Sequence, residues 1–479
     1  MASLPHPLPW TGAEIIEATQ AKLLCGDPER RFDAVAIDSR QTAPSALFAA
    51  IRGERHDAHA FLPDVVASGC RGLLVEADKS PDLPIDEWRE KGVFVAAVSD
   101  GVRALGDLAG YRRRRWGKSV AAITGSNGKT TTRRMTADVM SRGFDTLATR
   151  GNFNNLIGLP LTLLSLTPSH EWAVVELGMN APGEIRRLAE IARPDIGVIT
   201  NIGPAHLEGL GSAAGLSATM ENILAAKAEL LDGLTPGGTA VLNADDPRLS
   251  RLAGEIDRPC VLFGMADRSG DRAAVRARDI SLTETGIRFM LEIAGENVQT
   301  TLAAPGDFMI SNALAAAAVG HLAGLDPETI AAGLSAFRPV RGRMNIRRTE
   351  GGITVIDDTY NANPGSMTAA LATLKRLKGA ARGFFVAGDM YELGAFAESL
   401  HRELGQTAAE SDLSGLFATG RLAPEVIAGA LDAGMDPTAV FSGGHDDIRE
   451  KLKDILKPGD WVLVKGSRAM KMECISQEI

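Results

Sequence analysis

Cysteine is scarce: Cys25, Cys70, Cys260 and Cys474 are the whole complement in 479 residues. They are widely separated, with no CxxC pair and no zinc-ligand spacing, which excludes a disulfide scaffold and a cysteine-built metal site. Reduced thiols in a cytosolic protein are the expectation. An excess of positive charge is also missing. Lys and Arg number 51 against 60 Asp and Glu, a formal charge of −9, which argues against a general nucleic-acid binder, whose surface must attract phosphates. No basic segment followed by an apolar run lies between Met1 and Gln20, so no secretory signal is expected. Nor does any stretch read as a membrane span. Residues 151–170 carry three Asn and two Pro, and 308–325 carry Ser311, Asn312 and His321; neither is apolar enough to insert. There is no internal repeat and no low-complexity tract.

What is present is an ordinary globular composition, 45% hydrophobic and 23% charged, able to bury sizeable cores. At about 100–200 residues per domain, the length suggests two to four domains. Three blocks are legible, over 1–116, 117–340 and 341–479. The first holds short apolar runs at 34–37, 72–75 and 94–98 and ends in the basic run Arg112–Arg115, read as a solvated helix end before a boundary, with a phosphate-binding patch as the minor alternative. The second alternates strand and helix signals: strands at 119–124, 172–177 and 196–200, helices at 130–140 and 222–231. That rhythm implies an α/β fold with a mostly parallel sheet. The third repeats it, with strands at 354–356, 383–387, 416–418 and 461–464, and is Rossmann-like.

The strongest local signal is Thr124-Gly125-Ser126-Asn127-Gly128-Lys129-Thr130-Thr131. It follows a strand and opens a helix, the context of a P-loop, although the position five before Gly128 is Ile123 rather than glycine. Glycines let backbone amides converge on phosphate oxygens, and the helix N-terminus adds partial positive charge. Lys129 can reach the β- and γ-phosphates of ATP, and the Thr130 hydroxyl can ligate Mg²⁺. Glu176 closes the apolar run at 172–177, where a buried carboxylate needs a metal or a salt bridge. His206 sits at the tip of the loop after 196–200, either as a metal-site residue or as a satisfied loop histidine. Lys227, on a helix, reads by itself as a solvated lysine.

Together these strings resemble the ATP-dependent Mur ligases of peptidoglycan synthesis. The resemblance rests on 125–132, Gly151-Asn152-Phe153-Asn154-Asn155, Glu176-Leu177-Gly178-Met179-Asn180, Ala205-His206-Leu207-Glu208, Asn312–Ala317, Gly342-Arg343, Asp357–Pro364, Gly388–Gly394 and Lys465–Arg468. It is nearest to the member that joins D-alanyl-D-alanine to UDP-N-acetylmuramoyl-tripeptide. It implies three domains: one for the uridine nucleotide, a central P-loop-type ATPase domain, and a C-terminal Rossmann-like domain that closes over both. It assigns Lys129, Glu176, His206 and Lys227 as catalytic. Thr130, Glu176, His206 and a CO₂-carbamylated Lys227 become metal ligands, since carbamylation turns a cation into an oxygen ligand. It places ATP against Gly125, Ser126, Asn127, Gly128, Lys129, Thr130, Thr131, Asn312, Arg343 and Asp358. The nucleotide and dipeptide fall against Ser39, Arg40, Asn152, Asn154, Asn155, Tyr360, Asn361 and Asn363. Lys465 and Arg468 are further cleft candidates, and an interdomain structural pair is the alternative for Arg343 and Asp358. A cytoplasmic monomer is expected, with ATP and Mg²⁺, no nucleic acid and no membrane insertion. A sister ligase adding a diamino acid is disfavoured because 360–364 reads Tyr-Asn-Ala-Asn-Pro and no Asp-Asn-Pro-Arg string occurs. A folylpolyglutamate synthase is disfavoured by the Asn-rich 152–155. A nucleotide-binding switch without catalysis has no use for the combined Lys129, Glu176, His206 and Lys227.

Overall fold

The computed structural model describes residues 8–53, 56–205, 207–212, 215–269, 272–283 and 286–479. Three main sheets succeed one another along the chain. The first has five strands, in the order Lys22–Cys25, Phe94–Val98, Gly72–Glu76, Ala46–Ala49, Ala34–Ala36, parallel except for the Lys22–Cys25 edge. Helix Gly101–Trp116 leads out of it. Asp100 caps its start by accepting from the Arg103 amide at 2.9 Å, and Gly117, at φ 71°, ends it in the left-handed conformation glycine tolerates.

The second sheet has nine strands. Its heart is Ser119–Thr124, an apolar, β-branched run buried on both faces, as a parallel strand covered by helices should be. Trp172–Glu176 pairs with it on one side and Ile196–Ile199 on the other, both parallel. Thr146–Ala148 closes the first side; Thr239–Asn243, Cys260–Met265 and Val275–Thr283 extend the second. The strand order therefore reverses about Ser119–Thr124. In open α/β sheets such a reversal leaves a crevice beyond the carboxyl ends of the strands, where ligands bind. Beyond Val275–Thr283 the sheet continues as antiparallel strands, Gly286–Ile293 and Glu296–Leu302.

The third sheet runs Asn345–Arg348, Thr354–Asp358, Trp461–Lys465, Gly383–Gly388, Gly415–Thr419, Val440–Ser442, parallel but for the first pair. Loops from the carboxyl ends of its inner strands meet the loops of the second sheet across a cleft. Among the described residues, no helix is long and apolar enough to cross a membrane.

The reading of residues 112–115 as a solvated helix end is corrected here. Arg112 is 1% exposed, its guanidinium stacked 4.6 Å from the Trp10 ring, and burial pulls it down to about 10. Arg113 is buried too, donating to the Ala192 and Arg193 carbonyls and pairing with Asp195 at 3.1 Å. It thereby satisfies the C-terminal carbonyls of helix Glu184–Ala192. Only Arg114 and Arg115 reach solvent.

Asp307 bridges the second and third units, accepting from Arg268 at 2.9 Å and from Arg376 at 2.7 Å. All three side chains are partly exposed. Such pairs contribute about 0.2–1 kcal/mol each, whereas one fully buried Leu or Val contributes about 1.5–3 kcal/mol. The apolar cluster, continuous from Trp10 through Ile123 to Leu463, is the main bond between units. Asp307→Ala is therefore expected to lower unfolding free energy by only about 0.5–2 kcal/mol, with a smaller loss in high salt. Denaturant titration at two salt concentrations checks both.

Candidate active site

The loop Gly125–Gly128 links the central strand to helix Lys129–Met140. Gly125 and Gly128 have φ of +148° and +83°, and a Cβ on either would lie within about 2 Å of Thr200 Oγ1 or Asn312 Oδ1. The loop is clamped from the neighbouring strand end. Asn201 accepts from the Asn127 amide at 2.9 Å and its carbonyl takes the Ser126 amide at 3.0 Å, while Thr200 Oγ1 donates to the Asn127 carbonyl. No side chain caps the helix start, which leaves its first amides for an anion. Lys129 Nζ donates to the loop's own Gly125 carbonyl at 2.7 Å. Burial pushes this ammonium below the ordinary lysine range and the Glu176 carboxylate opposes that shift.

Glu176 ends its strand in register with Ile123 and is 2% exposed. Its Oε1 accepts from Asn154 Nδ2 at 2.8 Å and Thr130 Oγ1 at 3.2 Å. Its Oε2 has no hydrogen-bond partner among the described residues, and the nearest cation there is Arg133 Nε at 3.7 Å. A buried carboxylate oxygen without a partner, next to a hydroxyl, is a hard-oxygen donor set that fits a divalent cation.

From the third sheet, Arg343 reaches across to donate to Thr130 Oγ1 at 3.0 Å, with its guanidinium 4.2 Å above the Tyr360 ring. Asn363 Nδ2 donates to Asn127 Oδ1 at 2.7 Å. Asp358 accepts from the Met344 amide at 3.1 Å and from Lys465 at 2.5 Å, and Lys465 also donates to the Asn361 carbonyl. The cleft between the units encloses about 860 Å³. Ser126, Asn127, Gly128, Lys129, Thr130, Thr131, Asn152, Asn154, Asn155, Glu176, Asn312, Arg343, Asp358, Tyr360, Asn361, Asn363, Lys465 and Arg468 all line it. Asn155 also caps the turn before Gly158, and Asn312 Oδ1 takes the Thr132 hydroxyl.

Ser39, Arg40, Gly125 and Lys227 are not part of this cleft wall. Ser39 and Arg40 lie on a short helical turn of the first unit, where exposed Arg40 pairs with Asp38 at 2.8 Å. His206 lies outside the described residues. Lys227 is 1% exposed on helix Leu216–Asp232, which overturns its reading as a solvated lysine. Burial, then the like charge of Lys129, drives its ammonium well below the ordinary lysine range. This shift favours the neutral amine, the nucleophilic form that captures CO₂.

Sequence reasoning missed Arg133, Thr200 and Asn201. The signal for Arg133 was its place one helical turn after Lys129, which turns it to the same side. Asn201 carried none beyond following a strand. It also missed His401, fully buried beneath the 388–394 loop. Its Nε2 accepts from the Met390 amide at 2.9 Å, so its Nδ1 is the proton-bearing nitrogen, donating to the Ala397 carbonyl at 2.6 Å. Burial lowers its pKa. The unfolded chain thus takes up a proton at a higher pH than the folded one. The stability this contributes is complete above the unfolded value of about 6.5 and is lost as pH falls from there toward the folded value. Thermal unfolding of the wild type is expected to weaken more between neutral and mildly acidic pH than that of His401→Gln.

Residues 123–320 match the Mur ligase middle domain, and 342–468 match the Mur ligase, glutamate ligase domain. The chain is 36% identical to the UDP-N-acetylmuramoyl-tripeptide–D-alanyl-D-alanine ligase of Escherichia coli, over 92% of each chain. Among solved structures, MurF from Acinetobacter baumannii superposes with a TM-score of 0.87, at 32% identity and 99% coverage of both chains. MurF ligase from Thermotoga maritima in complex with ADP gives 0.80, at 26% identity, covering 93% of this chain and 96% of that one. The likeness runs through all three sheets and not the phosphate loop alone, and the chain belongs to the Mur ligase family.

Proposed function

We propose that this chain joins D-alanyl-D-alanine to UDP-N-acetylmuramoyl-tripeptide at the expense of ATP, through an acyl phosphate, releasing ADP and phosphate. The observation that carries the reading is the meeting of the Lys129 loop and the Thr130–Glu176–Asn154 cluster with Arg343 from the opposite unit. A carboxylate is a poor electrophile, and phosphorylation makes it a good one. Lys129 and Arg343 approach the loop from opposite sides, where they neutralise charge on a transferring phosphoryl group. Thr130 and Glu176 would hold Mg²⁺, and carbamylated Lys227 with His206 would hold a second ion. The metal, when bound, supplies charge neutralisation at the phosphates. Asn154 orients Glu176. Asn312 and Asp358 serve the nucleoside end of ATP, and Ser39 and Arg40 the uridine nucleotide. Closure of the cleft over bound substrates keeps water from the acyl phosphate.

The test is phosphate release with ATP, Mg²⁺ and the tripeptide nucleotide, with and without D-alanyl-D-alanine. A parallel reaction pairs the dipeptide nucleotide with diaminopimelate or lysine. Release that requires D-alanyl-D-alanine, with a product heavier by that dipeptide, is expected. Turnover only in the parallel reaction would assign the chain to the sister activity instead.

A further inference from the structure

Few contacts hold the Arg343 guanidinium in the cleft. Its side-chain hydrogen bond among the described residues runs to Thr130 Oγ1, 3.0 Å away. Its Nε is buried without a partner. The other contact is the Tyr360 ring, whose centroid lies 4.2 Å from the guanidinium carbon. That is well inside the distance of about 6 Å over which a ring face attracts a cation. Arg468 approaches the same ring only to 6.0 Å, and Glu473 takes its guanidinium at 2.7 Å.

Ring and guanidinium belong to the same unit, and the backbone sets their spacing. The Tyr360 amide donates to the Gly342 carbonyl at 3.0 Å. Gly342 has φ +72°, and a Cβ there would stand 3.3 Å from the Tyr360 amide nitrogen and Cβ. Glycine thus meets both the left-handed conformation and the close approach. The Thr130 contact differs in kind. It crosses between units, and it uses the hydroxyl assigned above to Mg²⁺, so a bound metal competes for it. The ring contact lies within one unit and stays with Arg343 when the units part.

We infer that Tyr360 is a positioning residue for phosphoryl transfer: its ring face holds the Arg343 guanidinium toward Thr130 and the phosphate loop, so that the charge is in place before the reaction begins. The inference rests on the ligase reading proposed above. A planar guanidinium stacks on an aromatic face and keeps its edge free to donate. A charge placed in advance costs no reorganisation when negative charge develops on the transferring group. On this account the ring serves Arg343 and is not spent on the dipeptide.

The experiment is steady-state ligation by the full chain, with ATP and D-alanyl-D-alanine varied in turn. It uses Tyr360→Leu, Tyr360→Phe, Arg343→Ala and the double variant of Tyr360→Leu with Arg343→Ala. Tyr360→Leu is expected to lower kcat about 5–20-fold, the effect of one desolvated cation–ring contact. The KM values for ATP and the dipeptide stay within about twofold of wild type, because the lost interaction matters most in the transition state. Tyr360→Phe keeps the ring face and recovers most of the rate. Arg343→Ala costs about 10²–10³-fold in kcat, and adding Tyr360→Leu to it costs less than about twofold more, since the ring has lost its partner. Tyr360 is half-buried; should leucine prevent folding, Tyr360→Met repeats the comparison. Equal cost of Tyr360→Leu with and without Arg343, or a raised KM for the dipeptide in place of a lowered kcat, overturns the inference alone. A phenylalanine variant as slow as the leucine one does the same. A wild type whose phosphate release does not need D-alanyl-D-alanine overturns the ligase reading and the inference with it.

Discussion

Replacing Lys129 by alanine is expected to lower kcat for ligation by about 10²–10³-fold while leaving the chain folded. The magnitude is that of removing one preorganised charge from a site where negative charge develops. The fold should survive because alanine is the best helix former at the first position of helix Lys129–Met140, and because the ammonium contacts only the loop carbonyls of Gly125 and Ser126. Ser126 and Lys129 line the cleft, where water can replace the ammonium. Glycine geometry and the Asn201 clamp still shape the loop, so ATP should bind with a modest rise in Kd while transfer fails. Lys129→Arg should not restore the rate, since a planar fork does not replace a compact ammonium in so tight a loop. Single-turnover phosphate release and equilibrium ATP binding, measured on the same preparations, separate the two effects. A variant that binds ATP poorly but transfers at the wild-type rate when saturated would place Lys129 in binding alone.

Lys227→Met is expected to cost about 10²-fold or more in activity and to leave thermal stability unchanged or higher. A lysine this buried, on a face that also buries Ile223, Leu224, Leu230 and Leu231, is an electrostatic burden to the fold. Methionine keeps the volume and removes the buried ionisable amine. Loss of function with gain of stability is the signature of a group kept for chemistry. The direction of its pKa shift strengthens the point. Burial and Lys129 both favour the neutral amine, so capture of CO₂ should persist at neutral pH, where exposed lysines are protonated. Wild-type protein exposed to isotopically labelled bicarbonate should show a carbamate carbon resonance absent from Lys227→Met, and CO₂-depleted buffer should lower activity reversibly. A labelled resonance of equal intensity in Lys227→Met would assign the carbamate to another residue.

Much of this was legible in the sequence because each signal had a local cause. The strand at 119–124, the loop after it and Glu176 at the next strand end follow from apolar runs, glycine placement and a carboxylate where none should be buried unaided. What stayed hidden depends on which surfaces tertiary structure brings together. The antiparallel strands Val275–Thr283, Gly286–Ile293 and Glu296–Leu302 alternate apolar and polar residues, and the strand–helix rhythm of the preceding segment masked them. Arg112 and Arg113 look like solvent-facing charges until Trp10, Asp195 and two helix-end carbonyls arrive from distant segments. Lys227 is indistinguishable from a surface lysine without the packing that buries it; only the family resemblance singled it out. Arg343 carries no local mark of crossing between units to Thr130, 213 residues away along the chain.

In the reaction proposed above, phosphoryl transfer activates the tripeptide carboxylate and the dipeptide amine then displaces phosphate. The most direct test labels that carboxylate with heavy oxygen and runs ligation with ATP and D-alanyl-D-alanine. Attack of the carboxylate on the γ-phosphorus carries one labelled oxygen into the acyl phosphate, and amine attack then expels it in inorganic phosphate. The expected result is one heavy oxygen per phosphate released, in step with the amide formed. Unlabelled phosphate, or label recovered in AMP, would exclude the acyl phosphate.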